Sequence, residues 1–134
     1  MSAQTVTFEY DPAKNILFAE DDYTLATEQD VDAFLALYQK ELLKIGKKVW
    51  LVTRIDGLEL HVGIYDYYGA RLKDFTDKWY LGYGRWGTRA ISRMTVRASS
   101  VRAKYDINIY PTRETALAAV EKMMRGQAPG ADCK

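Results

Sequence analysis

Polar and apolar positions alternate from the start of the chain. Val6, Phe8 and Tyr10 interleave with Thr5, Thr7 and Glu9, the period of two that predicts a half-buried strand. Asp11-Pro12-Ala13-Lys14-Asn15 supplies turn residues. Ile16 to Ala19 then predicts the second strand of a hairpin, and the acidic run Glu20-Asp21-Asp22 predicts a solvated loop. Beyond Thr27 the period lengthens. Val31, Phe34, Leu35, Tyr38, Leu42 and Ile45 fall on one helical stripe. Thr27 fits the N-cap, and Glu28 and Asp30 suit the positive first turn. Gly46 fits the C-terminal stop, and Lys44, Lys47 and Lys48 suit the negative end.

The nearly continuous apolar run from Val49 to Ile55 predicts a strand buried on both faces of a parallel sheet, ended by Asp56-Gly57. A second helix is expected between Leu60 and Asp77, with Leu60, Ile64, Tyr68, Leu72 and Phe75 on its inner face. Trp79 to Tyr83 predicts a strand. Thr88 is placed to cap a third helix running to about Lys104, with Ile91, Met94, Ala98 and Val101 inward and Arg89, Arg93 and Arg97 outward. Ile107 to Tyr110 predicts a short strand that Pro111 breaks. Thr112 caps a last helix lined by Leu117, Val120 and Met124 and ended by Gly126. The order ββαβαβαβα predicts an α/β fold: a mixed, mostly parallel sheet of about five strands with four helices and right-handed crossovers. Residues 1–126 are expected to form one domain, and 127–134 a flexible tail that carries Cys133.

Composition narrows the function more than the fold. The 134 residues carry 19 basic and 18 acidic side chains, a net charge of +1, which argues against a dedicated nucleic-acid binder. One His and one Cys exclude a zinc site built from those residues and a disulfide within the chain. No metal and no cofactor is expected. No basic segment precedes an apolar run near Met1, and no apolar run spans a bilayer, so the expected location is cytoplasmic, without membrane insertion. Charge is unevenly spread. Residues 1–32 hold eight acids and one base, whereas residues 85–104 hold six bases and no acid. A solvated or internally neutralised face is the expected reading of both.

The element order resembles that of the STAS domain, and within it the SpoIIAA-like group of small bacterial proteins. Arg54-Ile55-Asp56-Gly57-Leu58 stands where antagonist STAS domains turn from strand to helix. Tyr67-Tyr68 through Phe75 to Leu81-Gly82 resembles that group's second helix and the strand after it. Ile109-Tyr110-Pro111-Thr112-Arg113-Glu114-Thr115-Ala116-Leu117 resembles its last strand and capped helix. The resemblance spans roughly residues 5–125 and implies a SpoIIAA-like sandwich used for regulation by protein partner-binding. Family members are switched by phosphorylating a hydroxyl in that turn. Residues 56–61 here contain none, so the switch does not carry over. The resemblance points to Asp56, Gly57 and Leu58 as partner-binding residues. Tyr67, one of three tyrosines on the second helix, joins them as a surface for a protein partner or a homodimer.

Gly82-Tyr83-Gly84-Arg85-Trp86-Gly87 spells G-x-G-x-x-G between a strand and a helix, a dinucleotide fingerprint on paper. Three facts oppose that function. The motif follows at least three strands, Asp106 begins a strand rather than ending one, and too little chain remains for a dinucleotide domain. A simpler anion or small-molecule site at the same helix start remains, with Arg85, Trp86, Thr88 and Arg89 as ligand-binding residues. His61, the only His, is a candidate general base without an identified nucleophile, and no catalytic residues are assigned. The leading expectation is a non-catalytic regulatory or protein-interaction module. The alternative is a small-molecule or anion-binding protein built on the Gly82–Gly87 segment.

Overall fold

The computed structural model describes residues 4–103 and 108–126. Within these, the side chains of residues 91, 92 and 99–103 are not described. The expected tail at 127–134, Cys133, Lys104, Asp106 and Ile107 lie outside the described residues, as do the side chains of Ile91, Val101 and Arg102.

Among the described residues, five strands and four α-helices form a mixed α/β fold. They are β1 (Thr5–Asp11), β2 (Ile16–Leu25), α1 (Glu28–Ile45), β3 (Val49–Leu60), α2 (Tyr65–Trp79), β4 (Tyr80–Trp86), α3 (Ala90–Ala103), β5 (Ile109–Tyr110) and α4 (Arg113–Met124). A 3-10 turn, Val62–Ile64, leads into α2. The sheet order is β1-β2-β3-β4-β5. The β1–β2 hairpin is antiparallel and every later pair is parallel. Strands added in chain order with crossovers of one hand put the crossover helices on one face. The main core accordingly joins α1, α2 and Val96 of α3 to that face, which we call the front. The last helix, α4, packs Ala116 and Val120 on Ile16 and Val52 across the back.

Two of the three expected N-caps form, at Thr27 and Thr112; α3 begins at Ala90, two residues beyond Thr88, whose hydroxyl donates to Asp56. Thr27 and Asp30 make a reciprocal capping box at the start of α1, and Thr112 and Thr115 make another at α4. Gly46 closes α1 with φ of 81°.

Four further local expectations are corrected. The acidic run Glu20-Asp21-Asp22 is not a loop but the middle of β2, with Asp21 buried. Asp56-Gly57 does not end β3, which continues to Leu60. Three residues of β3 separate positions that two residues separate on β2, so β3 bulges at Ile55-Asp56. The bulge resets the pleat, so that Leu58 and Leu60 join Ile55 in the front core. Gly57 sits at this bulge because a Cβ there would strike the Asp21 backbone. The Gly82–Gly87 segment is likewise mostly strand, since β4 runs through to Trp86. Finally, the phase of α3 differs. Val96 is fully buried and Thr95 nearly so, while Met94 is 58% exposed.

Candidate site at the C-terminal end of the sheet

The bulge places Asp56 behind the start of α3. Its carboxylate accepts hydrogen bonds from the Thr88 backbone N–H (2.8 Å), the Thr88 hydroxyl (3.0 Å) and the Arg89 backbone N–H (2.9 Å). Arg54 Nε lies 3.4 Å away. The Arg89 guanidinium donates to the Asp56 carbonyl at 2.9 Å. A helix start offers orphan N–H groups and positive potential to an anion, and here the anion is the protein's own carboxylate. Gly87 makes room for it, because a Cβ there would lie 2.8 Å from Asp56 Oδ1. Burial pushes the Asp56 pKa up. The Arg89 and Thr88 N–H bonds, the Thr88 hydroxyl and Arg54 outweigh that and hold it below the usual carboxylate range.

Two groups that are distant in sequence, 54–58 and 87–89, are thereby joined. The other predicted ligand-binding residues separate. On β4 the pleat sends Arg85 to the front interior, over the Tyr83 ring at 5.2 Å, and Trp86 to the back beneath the Arg54 guanidinium at 5.7 Å. Arg85, Trp86, Thr88 and Arg89 are therefore not one cluster, and Gly82 and Gly84 form no cradle. A Cβ at Gly82 would lie 2.6 Å from the Trp50 ring, and one at Gly84 2.9 Å from the Ala116 carbonyl. Those glycines seat α4. The partner-binding set separates too. Leu58 is buried, Gly57 is enclosed by β2, and Tyr67 lies on the α1 side of α2, where it donates to Asp32 Oδ1 at 2.8 Å.

Beside Asp56, the carboxyl end of β3 opens into a cleft of about 370 Å³. Leu58, Glu59, His61, Tyr65, Arg89 and Thr95 line it. Ligands of open α/β sheets characteristically bind outside the carboxyl ends of strands, and this volume lies in the range of small-molecule sites. The cleft offers one guanidinium, one imidazole, two hydroxyls and one carboxylate over an apolar floor. Sequence reasoning named Leu58, Arg89 and His61 separately but missed Glu59, Tyr65 and Thr95. Recognising that β3 outlasts Asp-Gly would have brought Glu59 to the strand end.

A second polar group lies inside the front core. Asp21 accepts a hydrogen bond from the Tyr38 hydroxyl and is 6% exposed. Burial raises its pKa to about 7, against the opposing pull of that hydrogen bond and of Arg85. Burial also carries Tyr38 and Tyr80 well above the ordinary tyrosine range, and the Asp21 charge adds to it. The adjoining cavity holds about 30 Å³, room for one or two waters and too little for a metabolite. Among the described residues no group of three His, Cys, Asp or Glu could hold a metal ion, and no helix is long and apolar enough to cross a membrane.

No family model, curated protein or solved structure matches the chain.

Proposed function

We propose that the protein is a non-catalytic binding module of regulatory type, and that its cleft at the carboxyl end of β3 takes a small molecule bearing a carboxylate or phosphate. The observation that carries this reading is the setting of Arg89. Its backbone is held by the Asp56 carboxylate and its guanidinium by the Asp56 carbonyl, at the rim of a cleft that also contains His61. A pre-oriented guanidinium loses little freedom on binding and suits planar or tetrahedral oxyanions. Glu59 on the same wall favours a ligand that also carries a donor or cationic group.

The non-catalytic part rests on Asp56. It is the buried carboxylate next to the cleft, and three donors and Arg54 hold it in the charged form as a structural anion and a poor proton acceptor. The regulatory part rests on the resemblance of the ββαβαβαβα order to STAS domains, with a ligand in place of the phosphorylated hydroxyl as the signal. A thermal-shift screen against phosphorylated metabolites, dicarboxylates and amino acids tests the reading. A ligand at 100 times its Kd stabilises by about 2.7 kcal/mol. The stabilisation should fall sharply in His61→Ala and Arg89→Lys. A selective ligand whose effect survives both changes would place binding elsewhere.

A protein partner on the back of the sheet is the second reading, favoured by one specific feature. α4 leaves Phe18 and Trp86 half-buried, with Arg113 at 4.5 Å over the first ring and Arg54 over the second. Aromatic and arginine side chains are those that anchor protein interfaces.

A further inference from the structure

Edge strands present unpaired backbone groups, and proteins that stay monomeric protect them with charged side chains, lysine above all, or with proline, bulges or short length. At one edge of this sheet β5 is two residues long. At the other, β1 runs for seven residues, Thr5-Val6-Thr7-Phe8-Glu9-Tyr10-Asp11. It contains no lysine and no proline, and its register with β2 is unbroken from Thr5 to Asp11. Pairing to β2 uses one side of β1, and among the described residues the order β1-β2-β3-β4-β5 puts no strand on the other side.

The sequence of β1 is also complementary to itself. In an antiparallel pair, side chains directly opposite one another share a face. A two-fold axis through Phe8 sets all seven residues against a second β1. Phe8 then faces Phe8, Val6 faces Tyr10, Thr7 faces Glu9 and Thr5 faces Asp11. Every apolar residue meets an apolar one, every acid meets a threonine, and no like charges stand opposite. Shifting the axis to Glu9 would oppose two glutamates, and shifting it to Thr7 would leave Tyr10 and Asp11 without partners within the strand. Val6, Phe8 and Tyr10 are half-buried at the margin of the front core, so a second copy would cover the part of that row that α1 leaves open.

We propose that β1 is a self-association edge, at which two copies of this chain pair antiparallel about Phe8 to form one continuous ten-stranded sheet. The interface is isologous and closed, as two-fold pairing requires. It is separate from the cleft at the carboxyl end of β3, so either can fail without the other.

The test exploits register. Thr7 is exposed but faces Glu20 of β2 within the same copy, so circular dichroism and urea unfolding first check that each charged variant keeps the monomer folded, and the dimer constants are compared only between folded variants. Because Thr7 faces Glu9 of the second copy, Thr7→Glu places like charges opposite twice per dimer and Thr7→Lys places opposite charges there. Sedimentation equilibrium should show the unaltered protein at twice 15.3 kDa. Thr7→Glu should weaken the dimer about five- to tenfold and Thr7→Lys should tighten it. Tyr67→Ala should leave it unchanged. A protein that is monomeric throughout overturns the proposal. So does an equal response to the two Thr7 changes, or loss of the dimer in Tyr67→Ala alone.

Discussion

Asp56 gathers three hydrogen bonds and an ion pair with Arg54 on one carboxylate. It accepts from two backbone N–H groups and one hydroxyl at the start of α3, and its own carbonyl holds Arg89. Asp56→Ala leaves those donors without their acceptor, and should cost about 2–3 kcal/mol in urea unfolding. Its folded pKa is lowered, so its stabilising contribution is full above the unfolded carboxylate value. It is lost as pH falls through the lowered folded value. The stability gap between the unaltered protein and Asp56→Asn should therefore be constant near neutrality and close in acid.

Asp21 behaves with the opposite sign. Its folded pKa, about 7, stands above the unfolded carboxylate value. Between those two limits the folded state holds a proton that the unfolded state has released, so stability falls as pH rises through this window. The tyrosines facing Asp21, Tyr38 and Tyr80, keep their protons throughout the range. Asp21→Asn mimics the protonated acid. Denaturation at pH 5 and pH 8 should show the unaltered protein losing more stability over that step than the variant does. An equal loss in both would remove Asp21 as the cause.

At the scale of elements, the sheet is held on two faces by different means. On the front, large side chains from α1 and α2, with Val96 of α3, fill the core. On the back, α4 approaches so closely that β4 presents glycines at 82 and 84. Gly84→Val would press a branched side chain into the Ala116 carbonyl and Val120. It should cost about 1–3 kcal/mol, the usual penalty of overpacking, and loosen α4 selectively in hydrogen exchange.

The same elements explain what could be read from the sequence. The helices α1 and α4 were legible because Thr27, Gly46 and Thr112 act within a turn of their own helix, and local chemistry decides them. The bulge was not, because its cause lies in another strand: Gly57 is set by the Asp21 backbone. The acidic run in β2 hid a signal that was present. Ala19, Asp21, Tyr23 and Leu25 keep the period of two through it, and all four are buried. The glycine-rich segment misled because its glycines answer to Trp50, α4 and Asp56, which only the fold brings near. As for the candidate site, Arg89 and Leu58 were found as members of two separate groups. Their meeting depends on β3 continuing past Asp56.

For the whole molecule, strand order decides where function can sit. Parallel strands added in sequence carry their carboxyl ends to one side, where α2 and α3 begin. The chain's two unusual stretches, the Arg54–Leu58 bulge and the Gly87–Arg89 helix start, converge there through Asp56, and the cleft opens beside them. The measurement that tests this most directly is an amide chemical-shift titration with the phosphate- and carboxylate-bearing ligands of the thermal screen. Binding in the cleft predicts shifts concentrated at residues 58–65 and 87–95. Shifts centred on Phe18 and Trp86, or the absence of any ligand-dependent shift across the panel, would contradict it.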